Sequence, residues 1–140
     1  MPTAVLAANE GGNGTEGDPY EVSSLAQLTE ALKKQQDTPI YINLTDDITL
    51  TDHITIDKSV VIDGAKTDGS GNYSISGKII AVSGNDTTVT FRNVDLTREE
   101  SGTATLDVGS KDGAPDNTTP TVNLKNCTVS MKNSTSSTYD

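Results

Sequence analysis

Residues 89–96 read VTFRNVDL, and residues 122–129 read VNLKNCTV. The apolar positions coincide, and an Asn stands fifth in each, Asn93 and Asn126, 33 residues apart (126 less 93). The stretch SVVIDG (59–64) shares the pattern and brings Gly64 to the same place, 29 residues before Asn93 (93 less 64). A second pattern recurs between these copies. KIIAV (78–82) and ATLDV (104–108) align Ile80 with Leu106 and Val82 with Val108, at an offset of 26 (106 less 80). Two strand-sized patterns in a fixed order, with connections of varying length, predict stacked repeats, because no single repeat can bury its apolar face alone. Asn suits a recurring corner for a physical reason. It tolerates the left-handed backbone conformation, and its side-chain amide can bond the same Asn one coil away. The pattern predicts an all-β solenoid of about three coils.

Composition agrees. Only 32% of the 140 residues are hydrophobic and 4% aromatic, so the core is modest. Thr and Ser make up roughly a quarter of the chain, well above ordinary usage. Branched Thr packs well on a pleated surface, and Ser, Asn, Asp and Gly favour turns. The net charge of −10 opposes binding to nucleic-acid phosphates or to anionic lipid. One cysteine, Cys127, excludes an internal disulfide and a Cys-based metal cluster, and reads as a small buried hydrophobe. No run of 18 apolar residues exists to insert in a membrane. The start, MPTAVLAANE, resembles the remnant of a secretory signal, with small residues near a cleavage point.

Four regions follow. Residues 1–19 form a flexible, Gly-rich lead-in. Residues 20–39 hold a short strand, Tyr20 to Val22, and one helix over 24–36. Ser24 and Gln27 have capping-box spacing, Leu25, Leu28, Ala31 and Leu32 share a face, and Thr38-Pro39 ends the helix. Residues 40–130 carry the strands, with two continuous ones over 88–96 and 121–130, and Arg98 in the loop beyond the first. The loop 109–120 (GSKDGAPDNTTP) bulges from the body, and 131–140 is a frayed tail. The helix closes the open end of the first coil; the last coil stays open and offers a route to self-association. An antiparallel β-sandwich is the alternative fold, disfavoured by the recurring order and by the lack of an Asn-Gly hairpin turn.

The stretch GNGTEGDPYEVSSLAQLTEAL (12–32) resembles a lead-in of secreted and cell-surface bacterial proteins. ITIDKSVVIDGAK (54–66) and TVTFRNVDLT (88–97) resemble the first coils of the pectate-lyase-like right-handed parallel β-helix superfamily. The resemblance implies a right-handed parallel β-helix with an N-terminal capping helix, exported to the bacterial cell surface or beyond. It implies a non-catalytic module for display or adhesion, meeting glycan, host or cell-wall surfaces. The alternative is the N-terminal fragment of a polysaccharide lyase or glycoside hydrolase whose catalytic coils lie beyond Asp140. Pectate-lyase chemistry needs calcium-binding Asp residues with a basic residue nearby. The only arginines, Arg92 and Arg98, match neither role.

Direct inspection for chemistry yields no catalytic, cofactor-binding or metal residue. Asp68-x-Ser70-x-Asn72 has its Gly at the fourth place of a calcium loop instead of the sixth, and Ile79 stands where the twelfth position wants Glu. Asp46, Asp47, Asp52 and Asp57 read as solvated turn residues, with weak cation binding the competing reading. His53, the one histidine, reads as an exposed residue at a turn. Asp95 and Asp107 with Arg92 are the candidate acid pair.

Overall fold

The computed structural model describes residues 11–100, 102, 104–112, 114–132 and 137–139. In chain order the elements are β1 (Tyr20–Val22), α1 (Leu25–Leu32), β2 (Ile40–Leu44), β3 (Ile48–Thr49), β4 (Ile54–Ile56), β5 (Val60–Asp63), β6 (Tyr73–Gly77) and β7 (Ile80–Val82). They continue as β8 (Thr88–Arg92), β9 (Val94–Arg98), β10 (Leu106–Val108), β11 (Ser110–Lys111), β12 (Ala114–Pro115), β13 (Thr121–Lys125), β14 (Cys127–Met131) and β15 (Ser137–Tyr139). Among the described residues the fold is all-β with one helix.

Three sheets are visited in rotation. The first runs β1-β2-β5-β8-β13, the second β3-β6-β9-β14-β15, and the third β4-β7-β10. Every pair within them is parallel except β14 with β15. Parallel neighbours cannot be joined by tight hairpins, so an antiparallel sandwich is ruled out. The parallel sheets are consistent with a β-helix.

The predicted registers are present. Leu106 lies beside Ile80 and Val108 beside Val82; Val122 lies beside Val89 and Leu124 beside Phe91. Period-two alternation sends one face of each strand inward, and the inward residues meet in a single apolar core. Ile42, Ile62 and Phe91 form one row, Ile48, Ile75 and Leu96 another, and Ile56 and Val82 a third. The two long strands expected over 88–96 and 121–130 are each broken at an Asn, into β8 and β9 and into β13 and β14.

The helix starts where expected and stops early. Ser24 caps it, its hydroxyl accepting from Gln27 N–H at 3.3 Å, while the Gln27 side chain accepts from Ser23 N–H at 2.7 Å. Leu28 and Ala31 are buried against β1 and β2. Beyond Leu32 the sequence KKQQ has no apolar residue to bury, and the chain turns at Lys33. Gln36 then reaches back to accept from the Tyr20 hydroxyl and to donate to Asn13 O at 3.1 Å.

Residues 11–19 form a bonded loop in place of a loose lead-in. Gly14 N–H donates to Asp18 O at 2.9 Å, and Tyr41 N–H donates to Gly14 O at 2.9 Å. At the other end, Met131 closes β14 and Ser137–Tyr139 pairs on it, so the region expected to fray carries a strand. Residues 1–10, 133–136 and 140, which complete the lead-in and the tail, lie outside the described residues.

Candidate functional site

The most regular polar feature is the corner between the first and second sheets. Asn93 and Asn126 take φ of 55° and 54°. This left-handed geometry costs an ordinary L residue roughly 1–2 kcal/mol, and Asn offsets part of that by bonding locally. Asn126 donates from Nδ2 to Asn93 Oδ1 at 2.9 Å, and Asn93 donates from Nδ2 to Asp63 Oδ1 at 3.1 Å. A carboxylate can only accept, so Asp63 fixes the direction of both amides. Arg92 Nε approaches the other Asp63 oxygen at 3.2 Å, too poorly aligned for a hydrogen bond. Gly64 holds the equivalent corner place without the positive φ. A Cβ there would lie 2.6 Å from Asn93 O, so close backbone approach requires the glycine.

Outward residues form rows because the strands are in register. On the first sheet, Tyr41, Val61, Thr90 and Asn123 make one row, and Glu21, Asn43, Asp63, Arg92 and Lys125 the next. On the second sheet, Ser76, Thr97 and Ser130 are aligned, with 3.0 Å between the Thr97 and Ser130 hydroxyls. Thr128 donates to Asp95 Oδ1 at 2.9 Å. These are cross-strand contacts of a few tenths to about 1 kcal/mol each.

The third sheet is different, because the loop 109–120 lies on it instead of bulging. Within the loop, β11 and β12 form a small antiparallel hairpin turned at Asp112 (φ 52°), and β11 packs on β7. Ala81, in the outward phase of β7, is buried as a result, and so is Ser110. Four contacts strap the loop down. Asp112 N–H donates to Thr55 Oγ1 at 3.1 Å, Gly84 N–H to Thr118 Oγ1 at 2.9 Å, Thr119 N–H to Asn85 Oδ1 at 3.0 Å, and the Ser83 hydroxyl to Asp116. Asp116 also accepts from the hydroxyl and N–H of Thr118. The Ser83 bond, then those from Thr118, hold the Asp116 carboxyl below the usual Asp range.

The residues singled out in the sequence are dispersed. Arg92, Asp95 and Asp107 fall on the first, second and third sheets respectively, so no acid pair with a neighbouring base is assembled there. The Asp residues at corners accept backbone N–H groups: Asp46 from Asp47, Asp52 from His53, and Asp47 from Ser74. Asp68 accepts from Ser70, which pulls its carboxyl below the usual range. His53 is tied into its corner, where Nδ1 accepts from Ile79 N–H at 3.0 Å. Cys127 is buried and donates to Phe91 O and Lys125 O. Among the described residues no three His, Cys, Asp or Glu side chains gather to hold a metal ion.

Arg98 was missed as a buried residue. It ends β9 in the inward phase, 8% exposed, and donates to Ala104 O at 3.0 Å and to Glu100 at 3.1 Å. Glu100 also binds Lys78 at 3.1 Å, and Lys78, then Arg98, lower its pKa. The signal was the phase of the strand: Val94, Leu96 and residue 98 alternate inward.

The architecture thus defines an all-β protein of parallel sheets whose outer polar groups mostly bond one another. A family model described as "Putative pectate lyase-like adhesive domain" matches residues 20–138, and the chain belongs to that family. No curated protein and no solved structure matches it. Among the described residues no helix is long and apolar enough to cross a membrane.

Proposed function

We propose that this chain is a right-handed parallel β-helix, closed at its N-terminal end by α1, that serves as a non-catalytic adhesion or display module. In this reading, residues 20–39 are the cap and 40–130 the body. The module works in secreted or surface-attached form on a bacterial cell, and meets a glycan or a host or cell-wall surface component. The observation that carries the reading is the adhesive-domain family match over 20–138. The outer faces support it. Their Asp, Asn, Thr and Ser groups hold strands and loops together, and the exposed remainder is a broad polar surface suited to many weak contacts. Sugar hydroxyls would be met by the rows of Thr90 and Asn123 and of Ser76, Thr97 and Ser130.

A glycan array and a mucin pull-down with the purified chain test this. Binding that weakens in Ser76→Lys and Thr97→Lys variants supports it; no signal on either surface counts against it. Release of cleaved products from polygalacturonate by the same protein would overturn the non-catalytic part.

A further inference from the structure

The helix α1 and the third sheet meet at a cavity of about 330 Å³. Thr29, Leu32 and Lys33 line it from the helix side, and Ile54, Thr55 and Asp57 from β4 and the residue just beyond it. It does not arise from a chain end. The sheets are visited in rotation, so what faces the free edge of β4 is the chain between β1 and β2, residues 23–39, which is described throughout. Lys58 ties that layer down by donating from Nζ to Lys34 O at 3.0 Å. The cavity exists because a helix stands there in place of a strand. A strand would bond the edge of β4, whereas a helix commits its backbone groups to itself. Ile54 N–H donates to Ile79 O, and Ile56 O accepts from Ser83 N–H, both at 3.0 Å, so the even-numbered residues of β4 bond toward β7. The N–H and C=O of Thr55 point the other way, out of the free edge toward α1, and neither has a protein partner among the described residues.

We propose that this cavity binds one neutral sugar residue at the end of a glycan. Small-ligand pockets run from about 300 to 1,000 Å³, so this one takes a sugar ring and not a polymer laid lengthwise. Leu32 and Ile54, packed against the core, offer an aliphatic wall to the C–H groups of the ring. Thr55 N–H and C=O offer a donor and an acceptor side by side. Two neighbouring sugar hydroxyls satisfy both, because each hydroxyl donates and accepts. The Thr29 hydroxyl and the Asp57 carboxylate are also without a protein partner among the described residues, and they meet further hydroxyls. A hydroxyl bonded to a carboxylate makes the stronger kind of hydrogen bond. The Thr55 hydroxyl is already engaged with Asp112 N–H, which sets the tip of the strap beside the cavity.

Edge length and charge decide the class of ligand. β4 spans Ile54–Ile56, and Thr55 alone in it turns both backbone groups outward, so an added peptide strand would gain a single pair of bonds. Lys33 is paired with Glu30 at 3.9 Å, which leaves Asp57 as the unpaired charge in the lining, on a chain of net charge −10. A uronate or a sulfated sugar would set its anion against that carboxylate. The cavity lies apart from the outer rows of the first and second sheets, and the assignment stands whether or not those rows bind anything.

Amide NMR titrations of the purified chain with methyl glucoside, methyl galactoside, methyl mannoside and galacturonate test the proposal. A neutral glycoside should move the Thr55 and Lys33 amides saturably, in the millimolar range, and galacturonate should not. Asp57→Ala should weaken that binding about tenfold. Thr29→Arg, which projects a long side chain into the cavity, should abolish it, with the circular dichroism of both variants unchanged. Asp57→Asn keeps an acceptor and removes the charge, so it should bind the neutral glycoside near the parent level and also admit galacturonate. No saturable shift with any of the neutral glycosides, galacturonate bound by the parent as tightly as they are, or full binding in Thr29→Arg would each overturn the assignment.

Discussion

Two corners of this chain solve the same problem by opposite means. Where the first sheet passes to the second, a single left-handed Asn turns the chain at Asn93 and again at Asn126, and the two amides join across the repeat. Where the third sheet returns to the first, the connection grows from 57–59 to 83–87 to 109–120 along the chain, and the longest lies flat as a strap. One corner is held by a special backbone angle and contacts in register. The other is held by hydrogen bonds between residues as far apart as Thr55 and Asp112. A one-residue corner cannot absorb an insertion without losing register, whereas a loop can be lengthened at small entropic cost. The second-sheet side does carry one insertion, 65–72. It is pinched off by the Ala65–Asn72 bridge, so that Tyr73 still aligns with Val94.

If this contrast is right, the largest effect should come from the Asn corner. Asn93→Val combines a β-branched residue at positive φ with the loss of two side-chain bonds, and should cost about 3 kcal/mol in denaturant unfolding. Asn93→Gly keeps the angle and loses only the bonds, so about half that loss is expected. Equal losses in the two variants would show that the amide ladder, and not the backbone angle, fixes the corner.

At the strap the expected effect is local. Asp116→Ala removes the acceptor for Ser83 and Thr118. Hydrogen exchange at the Gly84 and Thr118 amides should speed up several-fold, while the global unfolding midpoint stays near the parent value. Because bonding depresses the Asp116 pKa, its contribution is present above the ordinary Asp value of 3.8 and fades as pH falls from there through the lowered folded value. Exchange at Gly84 should therefore rise on acidification in the parent and not in Asp116→Asn. A parent whose Gly84 exchange, corrected for intrinsic rates, ignores acid would remove Asp116 from the latch.

The difference between the corners also explains what could be read in the sequence. Residues that recur in register, such as Ile80 with Leu106 or Asn93 with Asn126, leave a period, so the sheets and the amide pair were legible. The strap leaves none. Its partners Thr55, Ser83 and Asn85 belong to other repeats, and nothing local marks them. Two local signals were nevertheless present. Lys111-Asp112-Gly113-Ala114 carries the two-residue Asp-Gly hairpin signature, and Arg98 stands in the inward phase of its strand. A polar loop and a charged residue read as solvated because burial is the exception for both types. The candidate acid pair failed for a topological reason: Arg92 and Asp95 are close in sequence, but the Asn93 corner between them sends their strands to different sheets.

The smallest expected effect lies at the hairpin tip, and it separates two ideas of what aims the strap. Asp112 contributes a left-handed turn angle and a carboxylate that accepts from Thr55 at a long 3.5 Å, while its own N–H makes the better 3.1 Å bond to the Thr55 hydroxyl. Asp112→Gly preserves the angle and the N–H, and should stay within about 0.5 kcal/mol of the parent. Asp112→Pro removes the N–H and forbids the angle. It should free the tip and expose Ala81, with faster exchange across β7. If glycine were as disruptive as proline, the carboxylate and not the backbone would be what docks the strap on the third sheet.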